Sequence, residues 1–472
     1  MFFRKLPSVG LMADRDRHPF KHKGVHITSV HTQLLKYFLY LSVLLLIWSL
    51  LLFFSSPSKL FNFHQVQVQQ SDGHPALNKE PICDGSVSVY VYELPDRFNR
   101  GLLQDCRHLN IYTDMCPHVA NRGLGQPLDN MGSSWFATHQ FIAEMIFHAR
   151  VEAHPCRTLD PDRANLFYVP FYGGLYASSK FREPDLSVRD TLAVDLVEYL
   201  GQQPWWHRYH GGDHFLALGR TAWDFMRSED GPDFGANCLL NLPPVMNMSV
   251  LTVERHPWQG SNQHGIPYPS YFHPLNSEEL LTWQNMMRTS SRPYLFSFVG
   301  APRTGVEKAA IRDEILRQCS ESTRCNLLKC GVGASKCHEP SEVLNVMTRS
   351  QFCMQAPGDS FTRRSTFDSL LAGCIPVFFS PHTAYSQYAW YLPSESSSQY
   401  SIFLSEENAT RIEEELLNIP VDRVERMRSV VIDLIPKLTY VHPNATDWRF
   451  RDAVDVALAE LAKHVQSKLL IA

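Results

Sequence analysis

Short apolar segments of strand character alternate with helical segments, and this alternation constrains the fold more than any other feature of the chain. Residues 87–94 (VSVYVYEL) alternate with β-branched and aromatic side chains, and 164–172 (ANLFYVPFY) has the character of a short buried strand. Helical periodicity covers 133–152 and 192–200, and 214–219 is a further predicted strand. Strands separated by helices predict an α/β fold with parallel sheets.

A second set of alternating segments begins near residue 292. It contains predicted strands and helices in turn: strand 292–300, helices 306–319 and 341–349, strand 351–357, helix 365–372, strand 374–379 and a final helix at 453–470. The proline-rich stretch 266–275 separates the two sets, and 472 residues exceed what one core normally holds. We therefore predict two domains, 85–275 and 276–472, with ligands bound beyond the carboxyl ends of their strands.

An uncharged apolar run at residues 37–54 predicts a transmembrane helix, since its length of about 27 Å suits a bilayer. Lysine and arginine are frequent before this run and sparse after it, which predicts a cytosolic tail over 1–36. Residues 55–84, rich in Ser, Gln, Asn and Pro, are then a luminal stem. The long basic lead favours an uncleaved anchor over a cleaved signal peptide.

Cysteines and glycosylation sequons agree with a luminal location for the rest of the chain. Four of the eleven cysteines lie within residues 319–337 without the Cys-x-x-Cys pairs of a zinc site, so we predict disulfides there. Because eleven is odd, at least one thiol is free or pairs between chains. The predicted glycosylation sites are Asn247, Asn408 and Asn444.

Two adjacent arginines precede the predicted helix 365–372, within the stretch 356–379 (APGDSFTRRSTFDSLLAGCIPVFF). The guanidinium groups of Arg363 and Arg364 match phosphate oxygens, and a helix N-terminus adds backbone N–H groups. Gly358 would let the backbone come close to a ligand. The pattern predicts a diphosphate site, whereas the absence of Gly-x-Gly-x-x-Gly and Walker motifs disfavours nicotinamide cofactors and ATP. The net charge of −4 disfavours nucleic acid.

The same stretch allows other interpretations. Asp368, one turn into the helix, could accept hydrogen bonds from ribose hydroxyls, but the spacing from Ser365 also fits a capping box. The two arginines could equally be surface charges paired with Asp359 and Asp368.

Six ordered blocks of sequence carry a resemblance to a known family. They read VYVYELPDRFN (89–99), ANLFYVPFYGGL (164–175), GGDHFLALGR (211–220), IPYPSYFHP (266–274), YLFSFVGAPR (294–303) and SQFCMQAPGDSFTRRSTFDSLLAGCIPVFF (350–379). The chain resembles the plant exostosin-like glycosyltransferases of family 47, above all their xyloglucan galactosyltransferase branch. The resemblance implies a GT-B fold of two Rossmann-like domains facing a cleft, after the transmembrane helix and stem. It also implies a single-pass type II Golgi membrane protein with a luminal catalytic domain, a UDP-sugar donor and inversion at the anomeric carbon. We expect no metal, because arginines can replace the role of a cation.

By that resemblance the C-terminal domain binds the nucleotide. The donor-site positions fall on Arg363, Arg364 and Asp368, with Arg303 as a further phosphate candidate. Related exostosins carry Glu where this chain has Asp368, so the carboxylate is kept with a shorter reach. The candidate donor-binding residues together are Arg303, Gly358, Asp359, Ser360, Arg363, Arg364 and Asp368.

Inverting transfer requires a base that takes the proton of the acceptor hydroxyl. Our first candidate is Asp213, followed by Glu254 and by His214. The alternative is that Asp213 braces its loop and that His214 is an ordinary packed histidine. The Asp160-Pro-Asp162 pattern imitates a metal-binding Asp-x-Asp, but its proline predicts the start of a helix or turn.

We therefore expect a transferase that moves a sugar, galactose by resemblance, to a hemicellulose side chain such as xyloglucan. Arabinose or galacturonic acid are alternative sugars on the same fold. A non-catalytic carbohydrate-binding Golgi membrane protein is the alternative of another class, and a hydrolase with two carboxylates is a third. Complexes with other glycosyltransferases of wall synthesis are expected partners.

Overall fold

The computed structural model describes residues 83–228, 235–331, 335–445, 447 and 449–471. The predicted transmembrane run 37–54 lies outside these residues. Within the described part of the chain, no helix combines the length and the apolar character that crossing a bilayer requires.

A first sheet is built from six parallel strands in the order β2-β1-β3-β4-β5-β6. The strands are β1 Val89–Val91, β2 Arg157–Thr158, β3 Leu166–Val169, β4 His214–Thr221, β5 Ser249–Glu254 and β6 Gln263–Gly265. Every residue of β3 and β5 is buried, as expected of strands covered on both faces. Tyr168 and Phe215 are paired in register on β3 and β4, and their rings stack with centroids 5.0 Å apart.

A second sheet contains five parallel strands in the order β11-β10-β9-β7-β8. They are β7 Tyr294–Gly300, β8 Cys325–Lys329, β9 Ser350–Gln355, β10 Ile375–Phe378 and β11 Ile402–Phe403. The parallel α/β class and the division into two sets of strands are therefore confirmed. The domain bounds themselves stay a prediction.

Helices connect these strands and cover them. In chain order they are α1 Cys116–Val119, α2 Ala143–Glu152, α3 Gly173–Ser179, α4 Leu186–Gly201, α5 Trp206–Tyr209, α6 Pro243–Asn247, α7 Ser277–Thr289, α8 Ile311–Glu321, α9 Pro340–Thr348, α10 Arg364–Leu371, α11 Ile412–Leu417, α12 Val421–Leu438 and α13 Ala453–Ile471. The C-terminal α13 returns to the first sheet. Buried side-chain contacts fasten it there, because Asp452 forms an ion pair with Arg150 at 2.9 Å and Asp455 lies 2.7 Å from a ring nitrogen of His154.

The predicted helix 133–152 begins only at Ala143. The residues before it run alongside another segment instead, and the backbone N–H of Phe136 donates to the carbonyl of Tyr271 at 2.9 Å. Pairing with a distant segment overrides the helical periodicity here, and a periodicity within one segment carries no information about such a contact.

The predicted disulfides are present. Five disulfides join Cys83 to Cys156, Cys106 to Cys116, Cys319 to Cys325, Cys330 to Cys337 and Cys353 to Cys374. The four cysteines within residues 319–337 thus form disulfides, and Cys238 is a free thiol.

Candidate functional site

A cleft of about 790 Å³ lies between the carboxyl ends of the two sheets. One wall comes from the end of β4 and the turn after it, residues 220–224, together with Tyr268 after β6. The other wall comes from the segments that follow β7, β8 and β9, including Asp359, Ser360 and residues 362–364. The position agrees with the rule that ligands of such sheets bind beyond the strand ends.

Positive charge dominates the cleft although the whole chain carries a net charge of −4. Its cationic lining residues are Arg220, Arg303, Lys308, Arg312, Arg363 and Arg364, and its carboxylates are Asp224 and Asp359. A concave site with this excess of guanidinium groups favours a strongly anionic ligand.

Arg363 stands immediately before α10, at the position that caps the helix, and no side chain caps the helix there. Its Nη1 atom donates to the carbonyl of Thr362 at 3.1 Å and to Oγ of Ser360 at 3.3 Å. Burial lowers the pKa of its guanidinium from the ordinary arginine value. Among the described residues, no carboxylate lies within 4 Å of the Arg363 guanidinium. Its charge therefore remains available to a ligand.

Gly358 serves Arg363 rather than a ligand directly. A Cβ atom added at Gly358 would overlap Nη2 of Arg363 and would lie 2.5 Å from its Cζ. The backbone N–H of Gly358 donates to the carbonyl of Ser360 at 3.0 Å, which closes the turn around the guanidinium. Glycine is required here because the arginine lies directly on the backbone.

Arg364 points toward the first half of the fold. Its Nη1 atom donates to the carbonyl of Thr138 at 2.6 Å, and its guanidinium carbon lies 3.5 Å from the ring centroid of Tyr271. The Nε atom is 3.5 Å from Asp368, too far for a good hydrogen bond, and Nε and Nη2 are buried with no hydrogen-bond partner in the described residues. Arg364 lines the cleft, but part of its hydrogen-bonding capacity is used to join the two halves.

Asp368 is buried behind the arginines and does not line the cleft. Its Oδ1 atom accepts from Oγ of Ser270 at 2.7 Å, and burial raises the pKa of its carboxyl. The capping box is not formed, because α10 starts at Arg364 and the hydroxyl of Ser365 donates to Gln355 instead. The ribose contact stays a prediction, and Asp368 would have to exchange its present partners to make it.

The remaining predicted donor residues lie at the rim. Arg303 and Asp359 form an ion pair of 3.3 Å in which both side chains are largely exposed. A pair so open to solvent contributes little stability, so a phosphate could displace Asp359 from Arg303 at small cost. Ser360 lines the cleft beside them.

Arg312 is a cleft residue that the sequence analysis missed. It is buried on α8 and donates to three carbonyls, those of Ala301, Ala356 and Pro357, at 3.0, 3.2 and 2.6 Å. Burial, with Arg363 and Arg303 close by, lowers the pKa of its guanidinium to about 10. Arg312 therefore fixes the ends of β7 and β9 against each other. An arginine at a buried position of an amphipathic helix was the available signal.

Glu254 ends β5 on the cleft side and is fully buried. Its Oε2 atom accepts from the backbone N–H of Thr362 at 2.8 Å and from the hydroxyl of the same residue. Its Oε1 atom accepts from Nε1 of Trp223 at 3.1 Å. The carboxylate joins the wall of the first sheet to the loop that carries Arg363, and it does not line the cleft.

Asp213 and His214 lie on the side of the first sheet where the strands begin, away from the cleft. They stand at the amino end of β4, and both are buried. The carboxylate accepts from Arg208 at 2.7 Å and from His214 at 2.8 Å, and the other ring nitrogen of His214 is 2.8 Å from the hydroxyl of Tyr92. Asp213 and His214 therefore do not face the cleft as expected, because the carboxyl end of β4 reaches the cleft and they lie at its amino end.

Asp224 is the carboxylate that the first sheet presents to the cleft, and the sequence analysis missed it. Its Oδ2 atom accepts from Nε of Arg220 at 2.8 Å and from Oγ1 of Thr221 at 3.0 Å. Among the described residues Oδ1 has no hydrogen-bond partner. The direction of the strand was the available signal, since Asp224 follows the carboxyl end of β4.

Several further predicted features lie outside the cleft. Asp160 caps a short 3-10 helix by accepting from the N–H of Asp162 at 3.0 Å, as its proline predicted. The amide of Asn247 donates to the carbonyl of His210 at 2.7 Å, so a glycan there would displace this bond. Asn444 is exposed and Asn408 half-buried. One cluster in the described residues has the side-chain types of a metal site, namely Cys83, His154 and Cys156. Its two cysteines are joined as a disulfide.

Comparison with known proteins adds a family. Residues 83–419 match the model of the exostosin GT47 domain. The chain is 66% identical over 389 residues to a protein of Arabidopsis thaliana named "Probable xyloglucan galactosyltransferase GT17", covering 82% of this chain and 85% of that one. It is 39% identical over 393 residues to "Xyloglucan-specific galacturonosyltransferase 1" of the same plant, covering 82% and 58%. A solved GtfA/B complex matches at 11% identity with a TM-score of 0.31, over 59% and 60%, which is too weak to argue from.

Proposed function

Because this chain belongs to the exostosin GT47 family, we propose that it is a glycosyltransferase that moves a sugar, galactose in the first instance, from a UDP-sugar to xyloglucan. The observation that carries the proposal is the cationic wall of the cleft, in which Arg363 is held on Gly358 beside the uncapped start of α10. Guanidinium groups and free backbone N–H groups are the donors that a pyrophosphate requires.

The reaction is a single displacement. An acceptor hydroxyl oxygen forms a bond to the anomeric carbon while the bond from that carbon to the pyrophosphate oxygen breaks, and UDP leaves with the electron pair. Arg363 and Arg303 stabilise the charge that grows on the leaving diphosphate, as preorganised donors do in other transfer reactions. In this proposal they supply the charge that a bound cation would otherwise supply, and no metal cofactor is needed.

The proton of the acceptor hydroxyl goes to a base on the opposite wall, and we assign that role to Asp224. Its Oδ2 atom is fixed by Arg220 and Thr221, which leaves Oδ1 to accept the proton. Glu254 is less suited, because Thr362 and Trp223 already donate to both of its oxygens. A positioned base contributes roughly 10²–10⁴-fold to the rate of such a step.

The transferred sugar is the finer part of the proposal. One relative is named for galactose and another for galacturonic acid, and both names specify xyloglucan. The much higher identity to the first supports galactose as the donor sugar. Arabinose and galacturonic acid remain the alternatives that a panel of donors separates.

We further propose a GT-B arrangement and a Golgi membrane location with the cleft in the lumen. Two parallel sheets whose carboxyl ends meet at one cleft support the arrangement. Five disulfides support an oxidising compartment, and the uncharged run at 37–54 supports a membrane anchor.

The test uses the full-length chain purified in detergent, with UDP binding followed by thermal shift and transfer followed with a panel of UDP-sugars and xyloglucan oligosaccharides. We expect transfer from UDP-galactose, and a fall in kcat of about 10²–10³ for Arg363→Ala. Arg163→Ala, at an exposed position away from the cleft, is the matched control and should behave as the unaltered chain.

Two outcomes would overturn the proposal. If millimolar UDP leaves the melting temperature unchanged, the non-catalytic carbohydrate-binding protein becomes the better description. If the chain releases free sugar from polysaccharide in the absence of any UDP-sugar, the hydrolase does.

A further inference from the structure

We propose that three aromatic side chains at the mouth of the cleft, Trp258, Phe361 and His382, form a subsite that binds sugar rings of the polysaccharide acceptor. We call this group the aromatic rim. The inference rests on the proposed transferase function and extends it to the part of the acceptor that lies outside the reacting centre.

The three rings contact one another at the surface. The centroid of Trp258 lies 5.9 Å from that of Phe361 and 5.4 Å from that of His382, and Phe361 and His382 are 5.2 Å apart. Trp258 is nevertheless 66% exposed, an unusual state for so large an apolar side chain. Single exposed hydrophobic residues are common on protein surfaces, whereas an exposed tryptophan inside a cluster of rings indicates a binding surface.

The aromatic rim is contributed by both halves of the fold. Trp258 follows β5 of the first sheet, whereas Phe361 follows β9 and His382 follows β10 of the second sheet. A ligand that lies on the three rings therefore contacts both halves of the fold at once. An acceptor chain that passes into a cleft between two sheets would do the same.

The aromatic rim is also continuous with the cleft. Phe361 lies two positions before Arg363, and the ammonium group of Lys308, which lines the cleft, is 5.0 Å from its ring centroid. From Trp258 the rings continue to His256 at 5.8 Å and from there to Trp223 at 4.1 Å, and Trp223 lines the cleft beside Asp224. The path of rings therefore leads from the solvent to the proposed base.

The chemistry of the rings suits a polysaccharide. Sugar rings present faces of C–H groups that pack on aromatic faces, and an amphipathic indole suits a ligand that is apolar on its faces and polar at its edges. A β-glucan backbone with its side chains, as in xyloglucan, has the required form.

The test measures acceptor binding and turnover separately in the full-length chain. The probe is a xyloglucan oligosaccharide, titrated by calorimetry in the presence of UDP. We expect Trp258→Ala to weaken binding of the oligosaccharide about tenfold, because the bound sugar would no longer cover part of the indole face. The KM for the oligosaccharide should rise by a similar factor, whereas kcat and the affinity for UDP should be unchanged. Phe361→Leu, which removes the ring and keeps an apolar side chain, should weaken binding by a smaller factor.

Tyr209→Ala is the matched control, since Tyr209 is also an exposed aromatic residue but lies in α5, toward the amino edge of the first sheet. It should leave all these quantities unchanged. Acceptor affinity and acceptor KM that are unchanged in both Trp258→Ala and Phe361→Leu would overturn the subsite and leave the transferase proposal in place. Conversely, the unaltered chain could bind the oligosaccharide but not UDP, and Trp258→Ala could abolish the oligosaccharide binding. That result would support the subsite and overturn the transferase.

Discussion

Replacing Gly358 by alanine should damage the proposed donor site without destabilising the protein. The added Cβ would overlap Nη2 of Arg363 and would lie 2.5 Å from Cζ and 2.8 Å from Nε. Ordinary van der Waals separations are greater than about 3.4 Å, so the guanidinium has to leave its present position. Gly358 does not have a positive φ, so alanine fits its backbone, and the loss of chain entropy in the unfolded state offsets the local adjustment by about 0.4–1 kcal/mol.

The magnitude follows from the interaction that is lost. A charge-assisted hydrogen bond between an arginine and a phosphate contributes about 1.5–3 kcal/mol, which corresponds to a loss of affinity of roughly 10- to 150-fold. We expect UDP binding to weaken within that range and kcat with a UDP-sugar to fall by about 10²-fold, since displacements near 1 Å have that effect at reacting centres. The melting temperature should change by no more than a few degrees.

The assay is a double-mutant cycle with Gly358→Ala, Arg363→Ala and the double variant, followed by UDP titration and initial rates. If the alanine at 358 acts only by displacing Arg363, the double variant will be no worse than Arg363→Ala alone. Gly201→Ala is the control, because a Cβ at Gly201 meets no atom within 4 Å. UDP affinity within twofold of the unaltered chain, or losses that add in the double variant, would refute the reasoning.

Three further predictions follow from the carboxylates. Asp224→Asn should lower kcat by about 10²–10⁴-fold with UDP affinity unchanged, and a kcat within threefold of the original would remove it as the base. Asp213→Asn should lower the melting temperature and leave kcat unchanged. Burial raises the pKa of the Asp213 carboxyl, but its histidine and arginine partners outweigh burial and hold the pKa below the ordinary value. The stabilisation that the carboxylate provides is therefore present at neutral pH and is lost as the pH falls through the folded-state pKa. A lower kcat with an unchanged melting temperature would restore it as a base. Arg150→Ala should cost about 3–5 kcal/mol of unfolding free energy in denaturant titration, because the buried charge of Asp452 would lose its guanidinium partner; a cost below 1 kcal/mol would contradict this.

The sequence predicted the strands better than it predicted the site. Residues 164–172 and 214–219 were predicted as strands because continuous apolar runs mark strands buried in a parallel sheet, and β3 and β4 lie within or around them. The direction of the same strands determines which loops face the cleft. Applied to β4, that rule selects Asp224 and rejects Asp213, so the sequence contained this information although the residue motif pointed elsewhere.

Other parts of the site depend on contacts that no local pattern contains. The hydrogen bonds between Glu254 and Thr362 join residues 108 positions apart in the chain. The packing of Arg363 on Gly358 depends on a side-chain conformation, and the spacing of the two residues fits a ligand-binding glycine equally well. In both cases the residue type was correct and its role could be read only from the assembled fold.

The segment that carries the two arginines is held by the first half of the fold as much as by the second. Thr362 donates to Glu254, and its hydroxyl lies 3.0 Å from that of Tyr268 after β6. Arg364, two residues on, donates to the carbonyl of Thr138. The two bonds of Thr362 are buried and that of Arg364 is partly buried. A buried polar group left unpaired costs about 1–3 kcal/mol, so a motion that separates the halves at this point would lose several such contributions together. The proposed donor groups and the wall that presents Asp224 are therefore kept in a fixed relation before any ligand binds, which is the preorganisation that a single displacement between two bound substrates requires.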